Sequence, residues 1–158
     1  MRPIILLVIA LLGLNIICDA QDATNHLSIS TSGSLNFAVN NMSTFETGQT
    51  ISNAISVIIV SKSYSCHVYM SLSSWSYPAT ATPSSSPLYL DFASSDASSY
   101  TLAGTSFNVV PASQLLFTET KTGAVNTYKY DLRLAALDYG EYKPGNYNFT
   151  LTFTMSQP

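Results

Sequence analysis

The residues in this sequence with chemistry to offer are few: His26, His67, Cys66, the nearby acids Asp138 and Glu141, and the aromatic pair Trp75 and Tyr77. A zinc site needs three or four His, Cys or carboxylate ligands at short, regular spacings, and neither histidine has such company. Both therefore read as solvated strand residues. Asp138 and Glu141 could lend oxygens to calcium, but they lack the Asp/Asn-rich spacing of a calcium loop and read first as a solvated turn. Serines abound, yet none lies in a Gly-x-Ser-x-Gly elbow that would strain its hydroxyl into reactivity. Cys66 falls among the apolar residues of its segment, so burial as a small hydrophobe outweighs the alternative of an intermolecular disulfide. Trp75 and Tyr77, set among Ser73, Ser74, Ser76 and Pro78, could form a stacking platform for a sugar ring or a peptide. The competing expectation is that Trp75 supplies core volume. No catalytic set, metal or cofactor is expected, and the chain reads as a protein that is not an enzyme.

The elements that would carry these residues are strands. Tyr64, Cys66, Val68, Met70 and Leu72 alternate with polar neighbours, as do Tyr128, Tyr130, Leu132 and Leu134. The same holds for Tyr147, Phe149, Leu151, Phe153 and Met155, whose partners are Asn148, Thr150, Thr152 and Thr154. Period two is the signature of a strand with one wet face and does not suit a helix. Leu27 and Ile29 begin a further strand, and Leu35, Phe37 and Val39 form another. The run Ile51 to Val60 ends in Val57-Ile58-Ile59-Val60, apolar on both faces as in a central strand. Leu88 to Phe92, Phe107 to Val110 and Gln114 to Thr118 are shorter candidates.

Gly-containing turns separate these runs at Thr31-Ser32-Gly33-Ser34, Glu46-Thr47-Gly48-Gln49, Ala103-Gly104-Thr105, Lys121-Thr122-Gly123-Ala124 and Lys143-Pro144-Gly145-Asn146. The last predicts a type II turn with Gly145 at the position of positive φ. Pro78 to Pro87 is a Pro/Ser/Thr loop or crossover. The pattern predicts an all-β fold: an immunoglobulin-like antiparallel β-sandwich of about 7–10 strands in one domain.

At the N-terminus, Met1-Arg2 is followed by an almost unbroken aliphatic run from Ile4 to Ile17 and then Cys18-Asp19-Ala20. This predicts a signal peptide over residues 1–20 and a mature domain over 21–158. The apolar run is shorter than the roughly 20 residues of a spanning helix, so no membrane span is expected after its removal. With Cys18 gone, Cys66 is the only cysteine and no disulfide can form within the chain. Charge is sparse, with 6 Lys and Arg against 9 Asp and Glu. The cations are scattered, which argues against nucleic acid and anionic membrane as partners. Asn41-Met42-Ser43 and Asn148-Phe149-Thr150 match glycosylation sequons and are taken as chance.

The stretch Tyr142-Lys143-Pro144-Gly145-Asn146-Tyr147-Asn148-Phe149-Thr150-Leu151-Thr152-Phe153-Thr154-Met155-Ser156 resembles the ending of bacterial fimbrial subunits and spore-coat-U-like secreted proteins. In these a Pro-Gly-x-Tyr turn leads into a closing Thr-rich strand, and chaperone–usher pilins carry a glycine where Gly145 stands. Gln157 departs from the pilin pattern of a penultimate aromatic, and the pilin disulfide has no counterpart. The resemblance implies subunits that assemble when an extended segment of one chain completes the sheet of the next. Leu27 and Ile29 would belong to the donated segment. Gly145, Tyr147, Phe149, Leu151 and Phe153 would belong to the strand that a periplasmic chaperone reads. The expected function is a structural or adhesive protein, secreted or at the cell surface and exported through the periplasm. The alternative is a secreted module that binds carbohydrate or protein through Trp75 and Tyr77.

Overall fold

The computed structural model describes residues 25–33, 35–78 and 86–157. The expected signal peptide, and most of the Pro78 to Pro87 segment, lie outside the described residues.

Alternation builds the structure. Among the described residues ten strands form two antiparallel sheets: β1 (Asn25–Thr31), β2 (Phe37–Val39), β3 (Gln49–Ser61), β4 (Cys66–Ser76), β5 (Leu88–Ser95), β6 (Tyr100–Leu102), β7 (Ser106–Asn108), β8 (Gln114–Glu119), β9 (Val125–Leu134) and β10 (Gly145–Ser156). One sheet runs β1-β3-β9-β5-β7 and the other β2-β10-β4-β8-β6. Their inward residues share a single core that includes Val57, Ile59, Val68, Met70, Leu90, Phe117, Tyr128 and Tyr130. In the lettering of immunoglobulin sandwiches, β1, β3, β9 and β5 stand in the order A-B-E-D, while β4 and β10 take the places of C and F.

β3 is central, between β1 and β9, which explains why its C-terminal half is apolar on both faces. Near its start the register slips: Ile51 faces Leu132 and Ile55 faces Tyr130, so three residues stand opposite Asp131 alone. Asn53 absorbs the slack with φ of +47°, and its N–H donates to Asp131 Oδ1 at 2.7 Å. A second slip lies between β4 and β10. Leu72 faces Leu151 but Ser74 faces Thr150, so Ser73 is the extra residue of a bulge. The bulge returns Trp75 to the inward face that strict alternation would deny it.

Three expectations need correction. Tyr64 does not extend the β4 alternation; it lies before the strand, 60 % exposed, because Ser61 to Ser65 turns the chain from β3 into β4. Gly145 does have positive φ, but at +153°, far from the roughly +80° of a type II turn. It opens β10 with its Cα against the Pro78 ring, where a Cβ would overlap. A short helix, α1 (Met42–Thr47), stands where no element was expected. Asn41 caps it through Oδ1, which accepts from the Thr44 N–H at 2.8 Å, and Phe45 plugs the core beneath.

Candidate functional site: an open groove between the sheets

The two sheets do not close on each other evenly. Among the described residues β1 hydrogen-bonds to β3 on one side only, over Asn25 to Thr31. Its start is pinned by Asn25, whose Oδ1 accepts from the N–H groups of Lys62 and Ser63 at 3.0 and 3.2 Å. Its end is held by the Ser32 N–H donating to the Ala54 carbonyl at 3.0 Å. In the facing sheet, β10 pairs with β4 along its whole length from Asn148 to Ser156. On its other side it has only β2, opposite Gly145 to Tyr147. Among the described residues, then, the outer edge of β10 beyond Tyr147 has no neighbouring strand. In the immunoglobulin lettering this is the place of strand G.

Between these two edges lies a groove of about 210 Å³. Ile29, Thr31 and Leu35 form one wall, Phe149, Leu151 and Phe153 the other, and Ile55 and Leu132 the floor. The consequence shows along β10. Tyr147, under β2, is fully buried, whereas Phe149, Leu151, Phe153 and Met155 face inward and remain only half-buried. Ile29, on the opposite lip, is 41 % exposed. Among the described residues Thr31 is the only polar side chain in the lining, and none of them brings an acid, base or metal ligand to the groove, which offers burial of apolar side chains instead. The open strand edges beside it add backbone N–H and C=O groups seeking partners.

Of the residues singled out from sequence, Phe149, Leu151, Phe153 and Ile29 come together in this groove, and Leu27 packs half-buried against the core on the same strand. Gly145 and Tyr147 lie just beyond it; the Tyr147 hydroxyl donates to the Lys143 carbonyl at 2.5 Å. Trp75 and Tyr77 form another group. Their ring centroids are 4.1 Å apart, and Trp75 reaches Phe149 at 6.2 Å while Tyr77 reaches Tyr142 at 5.7 Å and Tyr147 at 6.3 Å. Both are half-buried against the core, so they are an aromatic cluster beside the start of β10. Leu35, Ile55 and Leu132 line the groove although alternation marks them only as inward residues. Nothing in a period-two pattern tells which inward side chains lack a partner across the sandwich.

The remaining candidates are occupied locally. Cys66 is fully buried, and burial, with Glu119 nearby, pushes its thiol up. His67 Nδ1 lies 2.9 Å from Thr118 Oγ1 on the outer face. Asp138 Oδ1 accepts from the Gly140 N–H at 2.6 Å, and its carbonyl accepts from the N–H groups of Glu141 and Tyr142, a self-contained turn. Among the described residues there is no group of three or more His, Cys, Asp or Glu placed to hold a metal ion, and no helix long and apolar enough to cross a membrane.

No family model matches the chain, and no curated protein or solved structure matches it.

Proposed function

We propose that this chain is a secreted structural or adhesive surface protein that joins its partners by taking an extended strand into the groove between β1 and β10. The observation that carries this reading is the coincidence of two open strand edges with a row of inward, half-buried apolar residues, Phe149, Leu151 and Phe153. A segment laid along β10 would satisfy main-chain groups of that edge, and its alternate side chains would fill the groove and set the register. The resemblance of the last strand to fimbrial subunits supports the same reading. A second copy of the chain and a periplasmic chaperone are the partners it implies. In this structure Leu27 and Ile29 belong to β1 of their own sheet, so donating them to a neighbour requires β1 to leave β3.

Light scattering on the purified mature chain, on a form lacking Gln21 to Thr31 and on Leu151→Lys tests this. We expect the intact chain to form oligomers or to bind an extended peptide with apolar residues at alternate positions. Leu151→Lys is expected to abolish both while leaving the circular dichroism spectrum intact. An intact chain that stays monomeric and takes up no such peptide, with truncation changing nothing, overturns the reading.

A further inference from the structure

A second feature, away from the groove, concerns how the two sheets are tied together. Glu119, the last residue of β8, points into the core and is fully buried. Its Oε1 accepts from Asn126 Nδ2 at 2.9 Å and its Oε2 accepts from the Tyr128 hydroxyl at 2.9 Å, both on β9 of the opposite sheet. Thr122 Oγ1, at 3.5 Å from Oε1, completes the ring, and also lies 3.1 Å from Asn126 Nδ2. The stacked rings of Phe117 and Tyr128, 3.8 Å apart, seal it from the core side. Among the described residues every donor to this carboxylate is neutral. The nearest lysine in sequence, Lys121, points to solvent, and the ion pair among the described residues, Arg133 to Asp91, is elsewhere.

The other titratable groups around Glu119 offer no positive charge either. β4 contributes Cys66 and β6 contributes Tyr100, the two cross-strand neighbours of Glu119. β9 contributes Tyr128, and the segment after β5 contributes Asp96, whose carboxylate repels that of Glu119. An ionised carboxylate buried without a cation is costly, whereas the protonated form sheds that cost in exchange for weaker hydrogen bonds from the same donors.

We propose that the buried Glu119 makes the Glu119–Asn126–Tyr128 tie between the sheets pH-responsive: protonation removes the cost of holding an uncompensated charge inside the sandwich, so that this fold strengthens on mild acidification. The direction follows from linkage. Burial, opposed by the hydrogen bonds from Asn126, Tyr128 and Thr122 and aided by Asp96, leaves the carboxyl above its ordinary range. A group whose folded value is raised contributes stability that is full below the unfolded value, about 4.3 for glutamate, and lost as pH rises through the folded value.

Urea unfolding of the purified chain at about pH 5 and about pH 8, beside Glu119→Gln, tests this. The native chain is expected to show the higher midpoint at the lower pH, and Glu119→Gln to lose that difference. Parallel pH dependence in the two proteins overturns the proposal. Should Glu119→Gln not fold, the carboxyl carbon resonance of Glu119 in the native chain decides. Titration above the unfolded value supports the proposal, and titration at or below it overturns the proposal.

Discussion

Tyr130 shows how a single atom can be out of place in a well-packed core. Its ring is fully buried against Phe92, with centroids 5.7 Å apart, yet its hydroxyl has no hydrogen-bond partner among the described residues. An orphaned buried hydroxyl costs roughly 1–3 kcal/mol of desolvation. Tyr130→Phe keeps the shape and removes the orphan, and we expect it to raise stability by about 1 kcal/mol, read as a higher urea midpoint with an unchanged slope. Arg133 poses the opposite case. Its Nε donates to Asp91 Oδ2 at 2.6 Å, its Nη2 to Oδ1 at 3.2 Å, and its guanidinium lies over the Tyr89 ring at 4.4 Å. Partial burial works against the Asp91 carboxylate, but Arg133 and Ser106 outweigh it and hold the carboxyl below its ordinary range. A depressed carboxyl contributes stability that is present above the unfolded value of about 3.9 and lost as pH falls through the folded value. Arg133→Met should therefore cost about 0.5–1 kcal/mol near neutrality, discounted for the pair's exposure, and close to nothing near pH 2. Chemical denaturation at the two pH values checks it.

At the scale of elements, the slips in register decide which side chains reach the core. The Ser73 bulge is the clearest: one residue more in β4 than in β10 returns Trp75 to the face of Leu72, opposite Phe149. Deleting Ser73 removes the bulge and leaves Leu72, Ser74 and Trp75 in strict alternation, with Trp75 still inward opposite Phe149. Deleting Ser73 and Ser74 together instead sets Trp75 opposite Thr150, on the solvent face. We expect the single deletion to fold with tryptophan emission at an unchanged wavelength, and the double deletion to lose about 2–4 kcal/mol, the scale of removing a large aromatic from a partly buried site, with emission shifted to longer wavelength. Sequence pattern could not supply the bulge, because Ser73 and Ser74 suit either face. It did give β4, β9 and the span of β10, where alternation runs uninterrupted over four or five pairs. It missed α1, whose six residues are too few for a 3.6-residue period to show, although Asn41 as a cap was there to be read. It missed β6 for the same reason of length.

For the whole molecule, the distribution of burial along β10 separates a closed sandwich from an open one. Alternate amides between Asn148 and Ser156 point away from β4 and have no strand to receive them among the described residues. We expect these amides to exchange rapidly with deuterium in the isolated chain and to become protected when a partner strand is bound, while those facing β4 stay protected throughout. Protection in the isolated monomer equal on both edges would mean that the side is already filled.

The sequence by itself determined the all-β character, the inward faces of the long strands and the scarcity of charged chemistry, because these depend on residue type and on a period of two that each strand carries locally. It also marked Phe149, Leu151 and Phe153 as inward residues. Only the tertiary structure decided that those residues look across at Ile29 and Leu35 with space between, that Glu119 reaches from one sheet to Asn126 and Tyr128 on the other, and that Trp75 turns inward. Each depends on which strands become neighbours and in what register, and that is settled by packing between segments far apart in the chain.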